Sequence, residues 1–169
     1  GGKAVELLKV AVGLEPSSGI YRVNLAIAHQ HQGETSESVV QAREAARLLP
    51  SEPDVHQQLG RALEESGDLP GALDAYHRAV QASRGAVEGR VEGILEDEGV
   101  HLDAFCAMVN LRLLLCRWDK HAELMGSLAG LLRAQVLTRQ AWGGTCDQPF
   151  RLFSYPLPAA LLTDISVHV

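Results

Sequence analysis

The side chains of this chain best suited to chemistry are its seven histidines, its three cysteines and a few paired carboxylates. Their spacing argues against most of that chemistry. His29 and His31 are types that ligate metals. Two residues apart on a helix, however, they point to different sides, because neighbours on one face lie three or four apart. Cys106, Cys116 and Cys146 contain no C-x-x-C pair that could hold zinc. An odd number of widely spaced cysteines reads as reduced thiols rather than as a disulfide framework. No metal site is expected, and the histidines read as solvated residues on helix surfaces. Glu64 and Glu65 offer two carboxylates, but on a helix surface a solvated role outweighs acid–base work. There is no glycine-rich phosphate loop, no G-x-S-x-G elbow and no H-E-x-x-H pair. No catalytic residue is expected from residue chemistry.

The elements that would carry these side chains are set by a 34-residue period. Leu25 and Leu59 stand at that interval, as do Gly33 and Gly67, Pro16 and Pro50, and the series Ala11, Ala45 and Ala79. The spacing resembles the tetratricopeptide repeat, a helix–turn–helix unit that buries its apolar face only by stacking on its neighbours. The fold class this implies is all-α: a tetratricopeptide-repeat helical solenoid with a C-terminal helical or extended linker. Hydrophobic residues make up 46% of the chain and aromatics only 5%, a balance that suits helices packed on alanine and leucine. The organisation expected is an array over 1–86, with a partial first repeat and then units at 19–52 and 53–86. An acidic, glycine-containing insertion follows at 87–101, a degenerate terminal repeat and long helix at 102–139, and a linker at 140–169. The formal net charge of −6 excludes nucleic acid as the main ligand, which would demand a basic footprint. No run approaches the ~20 apolar residues of a membrane span.

The repeat residues have mechanical roles. Gly33 and Gly67 suit left-handed turns. Asp68 can cap the second helix of its unit, with Pro70 in the first turn, where its missing N–H costs little. Residues 3–15 read as the second helix of a repeat whose first helix is missing, with Val5, Leu8 and Val12 partly exposed and prone to self-association. The chain starts inside this helical pattern without methionine, so a fragment of a longer protein is expected, cytoplasmic or nuclear in setting.

The segment Asp103-Ala104-Phe105-Cys106-Ala107-Met108-Val109-Asn110-Leu111, followed by Cys116-Arg117-Trp118, resembles the last, degenerate repeat of the protein O-GlcNAc transferases and their SPINDLY-like relatives. That family opens this repeat with D-A-Y/F-C-N-L and closes it with C-D-W. Gln148-Pro149-Phe150 and Tyr155-Pro156-Leu157 are similar to its entry into the catalytic region. The resemblance implies a longer parent that transfers N-acetylglucosamine from UDP-GlcNAc, or fucose from GDP-fucose, to serine or threonine of proteins. This chain would supply the substrate-recruiting region, with no complete active site and no cofactor of its own. Arg117 and Ala159 depart from the family, which has aspartate and, in animal members, histidine there. The family also lines its superhelix with one asparagine per repeat, which grips the backbone of protein substrates. That position falls on Asn24 and Gln58, and on Ala107 in the degenerate repeat. Asn24 and Gln58 are therefore the candidate peptide-groove residues.

Two readings follow. One is the recruiting region of a glycosyltransferase similar to that family; the alternative is a stand-alone repeat scaffold for protein–protein interaction. Both take a protein or peptide as partner, and neither takes a nucleic acid or a membrane. Capture of a terminal carboxylate is the weaker version of the second, because the inner positions Ile20, Val23, Asn24, Ile27, Asp54, Gln57, Gln58 and Arg61 offer one cation.

Overall fold

A computed structural model of the chain describes residues 2–83, 102–117, 119, 122 and 125–127. The chain divides into two compact units, Gly1–Ser83 and Arg84–Val169. The first holds five helices: α1 (Gly2–Leu14), α2 (Gly19–Gln30), α3 (Thr35–Leu48), α4 (Pro53–Glu65) and α5 (Leu69–Ser83). They pack as helical hairpins, α2 with α3 and α4 with α5. Contact of α3 with α4 stacks one hairpin on the next, and α1 packs on α2. The described residues contain helices and turns and no strand, so the architecture is the helical repeat solenoid that the period implies.

Small residues let these helices approach closely. Ala26, Ala42 and Ala62 come from α2, α3 and α4 and meet in one cluster, with Val39 and Leu59 packed against it. Ala45 and Ala79, members of the period-34 series, are wholly buried. The larger side chains Leu63, Leu73, Tyr76 and Val80 complete the α4–α5 hairpin.

The turns within the hairpins share one geometry. Gly33 has φ +75° and Gly67 φ +85°. The amide that follows each reaches back five residues: Glu34 N–H donates to His29 O at 3.0 Å, and Asp68 N–H to Leu63 O at 2.9 Å. This is the glycine-centred helix stop in which a left-handed residue satisfies orphan carbonyls. Asp68 Oδ1 then accepts from Gly71 N–H at 3.0 Å and caps α5. A Cβ at Gly67 would meet nothing within 4 Å, so a substitution there tests backbone strain without a clash. Gly67→Val is expected to cost at least about 1 kcal/mol, seen as a lower urea midpoint at unchanged m-value.

In the second unit, α6 (Leu102–Leu114) has the 13-residue length of α4, and its ends lie 49 residues after those of α4. Cys116, at φ +52°, stands 49 residues after Gly67. Arg117 N–H donates to Arg112 O at 2.9 Å, repeating the five-residue step of the two glycine stops. The offset equals the 34-residue period plus 15, so α6 is register-equivalent to the first helix of a unit displaced by an insertion. Ala104, Phe105, Cys106, Met108, Val109 and Leu111 are buried. The insertion at 87–101, most of the long helix assigned from residue 120 and the linker at 140–169 lie outside the described residues.

Three expectations need correction. The Val5, Leu8 and Val12 face of α1 is not left open: Val5 is buried and the other two are half-buried, because α2 packs on α1. The exposed apolar residues of α1 are Leu7, Val10 and Leu14, on a different side of the helix. His29 and His56 are buried rather than solvated, since each has an oxygen to bond: Glu34 Oε2 lies 2.5 Å from His29 Nδ1, and Pro50 O lies 2.7 Å from His56 Nε2. Finally, the thiols are not all reduced. Cys106, inside the core of α6, is disulfide-bonded, and Cys116 is free and exposed.

Candidate peptide-binding groove

The first helices of the two complete units, α2 and α4, carry the candidate residues. Positions 20, 24 and 27 share one face of α2, by the three-and-four spacing of helical neighbours. The period maps Ile20 onto Asp54, Asn24 onto Gln58, Ile27 onto Arg61 and His31 onto Glu65. The α2 face is thus largely aliphatic around one amide, with Ile20 and Asn24 exposed and Ile27 half-buried. The α4 face is polar, with Asp54 and Arg61 exposed and of opposite charge.

The two amides occupy unlike environments. Asn24 is exposed, whereas Gln58 is only 8% exposed. Gln58 Nε2–H donates to Gln30 Oε1 at 2.7 Å, and Gln30 Nε2–H donates to Glu65 Oε1 at 2.5 Å. Gln58 therefore does not stand open to the groove with its whole amide. One of its N–H groups is committed to a chain of three polar side chains that ties α2 to α4. Gln30 lies about 9 Å along α2 from Asn24, at 1.5 Å per residue, so Asn24 and Gln58 are successive rungs along a surface rather than two jaws at one point. Asn24 supplies a donor and an acceptor that can pair with a peptide backbone; Gln58 holds the wall in place.

Sequence reasoning missed Gln30 and the pair Tyr76–Glu64. The Tyr76 hydroxyl donates to Glu64 Oε2 at 2.9 Å. A signal was present, because Gln30 and Glu64 are themselves 34 apart. In each unit, this last-turn position of the first helix sends a polar side chain to the helix that follows it in the stack. Glu64 and Glu65, read as a solvated pair, are both acceptors in such contacts. Burial pushes the Tyr76 hydroxyl far above the ordinary phenolic range, and the Glu64 carboxylate adds to the shift. Among the described residues, no group of three or more His, Cys, Asp or Glu side chains could hold a metal. No described helix is long and apolar enough to cross a membrane.

No family model matches the chain. Among curated proteins it is similar to the small glutamine-rich tetratricopeptide repeat-containing protein 2 of Mycosarcoma maydis, with 31% identity over 80 residues. That match takes in 47% of this chain and 23% of the relative, so the chain spans about a quarter of the relative's length. Among solved structures it is similar to MamA, with a TM-score of 0.60 at 14% identity over 97% of this chain and 81% of that one. The likeness to MamA concerns the fold alone. Together with the period and the stacked hairpins, these comparisons define a protein of the tetratricopeptide-repeat type.

Proposed function

We propose that this chain is a protein–protein interaction module that binds an extended segment of a partner across α2 and α4. The observation that carries this reading is the exposed face of Ile20 and Asn24 beside the exposed Asp54 and Arg61. It offers an aliphatic contact, a backbone-pairing amide and one charge of each sign. A segment with an apolar side chain and mixed polar residues fits it. A terminal carboxylate does not, since Arg61 is the one cation among the inner positions and Asp54 lies two helical turns away. The repeat-containing relative from Mycosarcoma maydis supports the same class of function.

The finer reading, substrate recruitment for a glycosyltransferase with UDP-GlcNAc as donor, rests on the resemblance of residues 103–118 and 148–157. Trp118 and the whole of 148–157 lie outside the described residues, and the comparisons add nothing to that reading. The interaction scaffold is therefore the function we adopt.

The test is selection of peptides from a random display library on the immobilised chain, followed by fluorescence anisotropy with the selected peptides. Asn24→Ala is expected to weaken binding about 3- to 10-fold, the value of one or two ordinary hydrogen bonds. Its unfolding midpoint should stay unchanged, because the side chain is exposed. Gln58→Ala should lower the midpoint as well, because it strips Gln30 of a partner. Selected peptides whose affinity is indifferent to both Asn24→Ala and Ile20→Ser would refute the groove.

A further inference from the structure

Six large hydrophobic residues are strongly exposed among those described, and three of them form one stripe on α1: Leu7 (72% exposed), Val10 (61%) and Leu14 (79%). Their spacing of i, i+3 and i+7 keeps them on a single helical face. The repeat itself shows what covers such a face. Moved by one period, Leu7, Val10 and Leu14 become Gln41, Glu44 and Leu48 of α3, and α2 covers all three. Arg22 Nη1–H donates to Gln41 Oε1 at 3.2 Å, and the Arg22 guanidinium also acts on the Glu44 carboxylate. Leu48 Cβ lies 3.4 Å from where a Cβ on Gly19 would sit. On α3 the stripe is polar and meets a cation. On α1 it is aliphatic and has no covering helix among the described residues.

A helix that seats on α1 must therefore present aliphatic side chains in place of Arg22. One described helix exposes such a stripe, and it is α1 itself. We propose that two copies of this chain associate through α1, packed antiparallel about a two-fold axis. Leu7 then meets Leu14 of the second copy, and the two Val10 side chains meet near the axis. The contact is isologous, so one patch serves both partners. No charged side chain lies within the stripe between residues 7 and 14, and the flanking Glu6 and Lys9 are paired with each other at 3.6 Å, so no like charges are pressed together at its centre. Three side chains per copy make an interface well below the ~1,200 Å² of stable complexes. Association is accordingly expected to be weak, with a Kd on the order of 100 µM.

Sedimentation velocity on the 169-residue chain from about 10 µM to about 1 mM reads this directly. A reversible monomer–dimer equilibrium is expected, and it should not loosen when salt is raised, since the contact is apolar. Leu7→Glu/Leu14→Glu should be monomeric throughout, with unchanged helical circular dichroism because both side chains are exposed. Val10→Cys in a Cys116→Ser background, which removes the exposed free thiol, should give a covalent dimer on mild oxidation. A wild-type chain that is monomeric up to ~1 mM would overturn the proposal and leave the stripe to a foreign helix. A double variant that still dimerises would place the contact elsewhere and overturn it equally.

Discussion

Gly60→Val is expected to lower the unfolding free energy by about 3 kcal/mol, a large share of the total for a small repeat unit. Gly60 sits in the middle of α4, where glycine by itself costs about 1 kcal/mol of helix stability against alanine. Packing explains why it is there. A Cβ on Gly60 would lie 2.6 Å from Cε1, 2.7 Å from Cδ1 and 2.9 Å from Cζ of Tyr76. The ring cannot swing away easily, because it is 2% exposed and its hydroxyl is bonded to Glu64. For Gly60→Ala, the gain in propensity and the cost of crowding nearly offset each other, leaving a net loss of roughly 0–2 kcal/mol. Valine adds two methyl groups at the same point, so crowding dominates. Urea unfolding of Gly60→Val, Tyr76→Ala and the double variant forms the check. The pair should be strongly non-additive, because removal of the ring makes room for the valine. If the two single losses simply add, the close approach of α4 to α5 is not what holds Gly60 in place.

Much of this fold was legible because a stacked repeat writes the same mechanical demand into the sequence at a fixed interval. The turn glycines announced two left-handed residues, and the alanine series announced the positions of closest helix approach. What the period could not show was which side of α1 would be covered. Val5, Leu8 and Val12 form its plainest apolar face, and α2 takes that face. Leu7, Val10 and Leu14 look like an interruption of the pattern until α3, one period on, shows that a neighbour meets this side as well. The continuation of the register into α6 was hidden by a simple length change: a 49-residue step does not register as a repeat of 34.

The candidate site was legible in position but not in environment. Asn24 and Gln58 occupy the same register, yet one is exposed and the other is enclosed by Gln30, because the end of α2 reaches the middle of α4. A register fixes which face of a helix a residue occupies. It does not fix whether the neighbouring helix ends in a side chain long enough to cover it. The same limit explains the buried histidines. His29 falls where the next unit has Leu63, so its position is a core position. It is tolerable there because Glu34, just past the turn glycine, supplies an acceptor. Sequence spacing identified His29 as a poor metal ligand and missed it as a structural hydrogen bond.

The tyrosine that crowds Gly60 also makes the protein sensitive to alkali. Burial first, and the neighbouring Glu64 carboxylate second, raise the folded-state pKa of Tyr76 far above the value near 10 of an unfolded tyrosine. Below pH ~10 the hydroxyl is protonated in both states and contributes nothing to the pH dependence. Above it, the unfolded chain releases the proton and the folded chain keeps it, so stability falls by up to about 1.4 kcal/mol per pH unit. Tyr76→Phe removes this loss along with the hydrogen bond to Glu64, which is worth about 1 kcal/mol near neutrality. The variant should therefore be less stable than the parent at pH 7 and equal to it near pH 11. Above that it should be the more stable of the two. Contributions from Tyr21 and the lysines are common to both proteins and cancel in the difference. Urea midpoints measured in parallel from pH 7 to 11.5 decide the matter: crossing curves are expected, and curves that stay parallel would mean that the Tyr76 hydroxyl ionises in the folded state as readily as in the unfolded one.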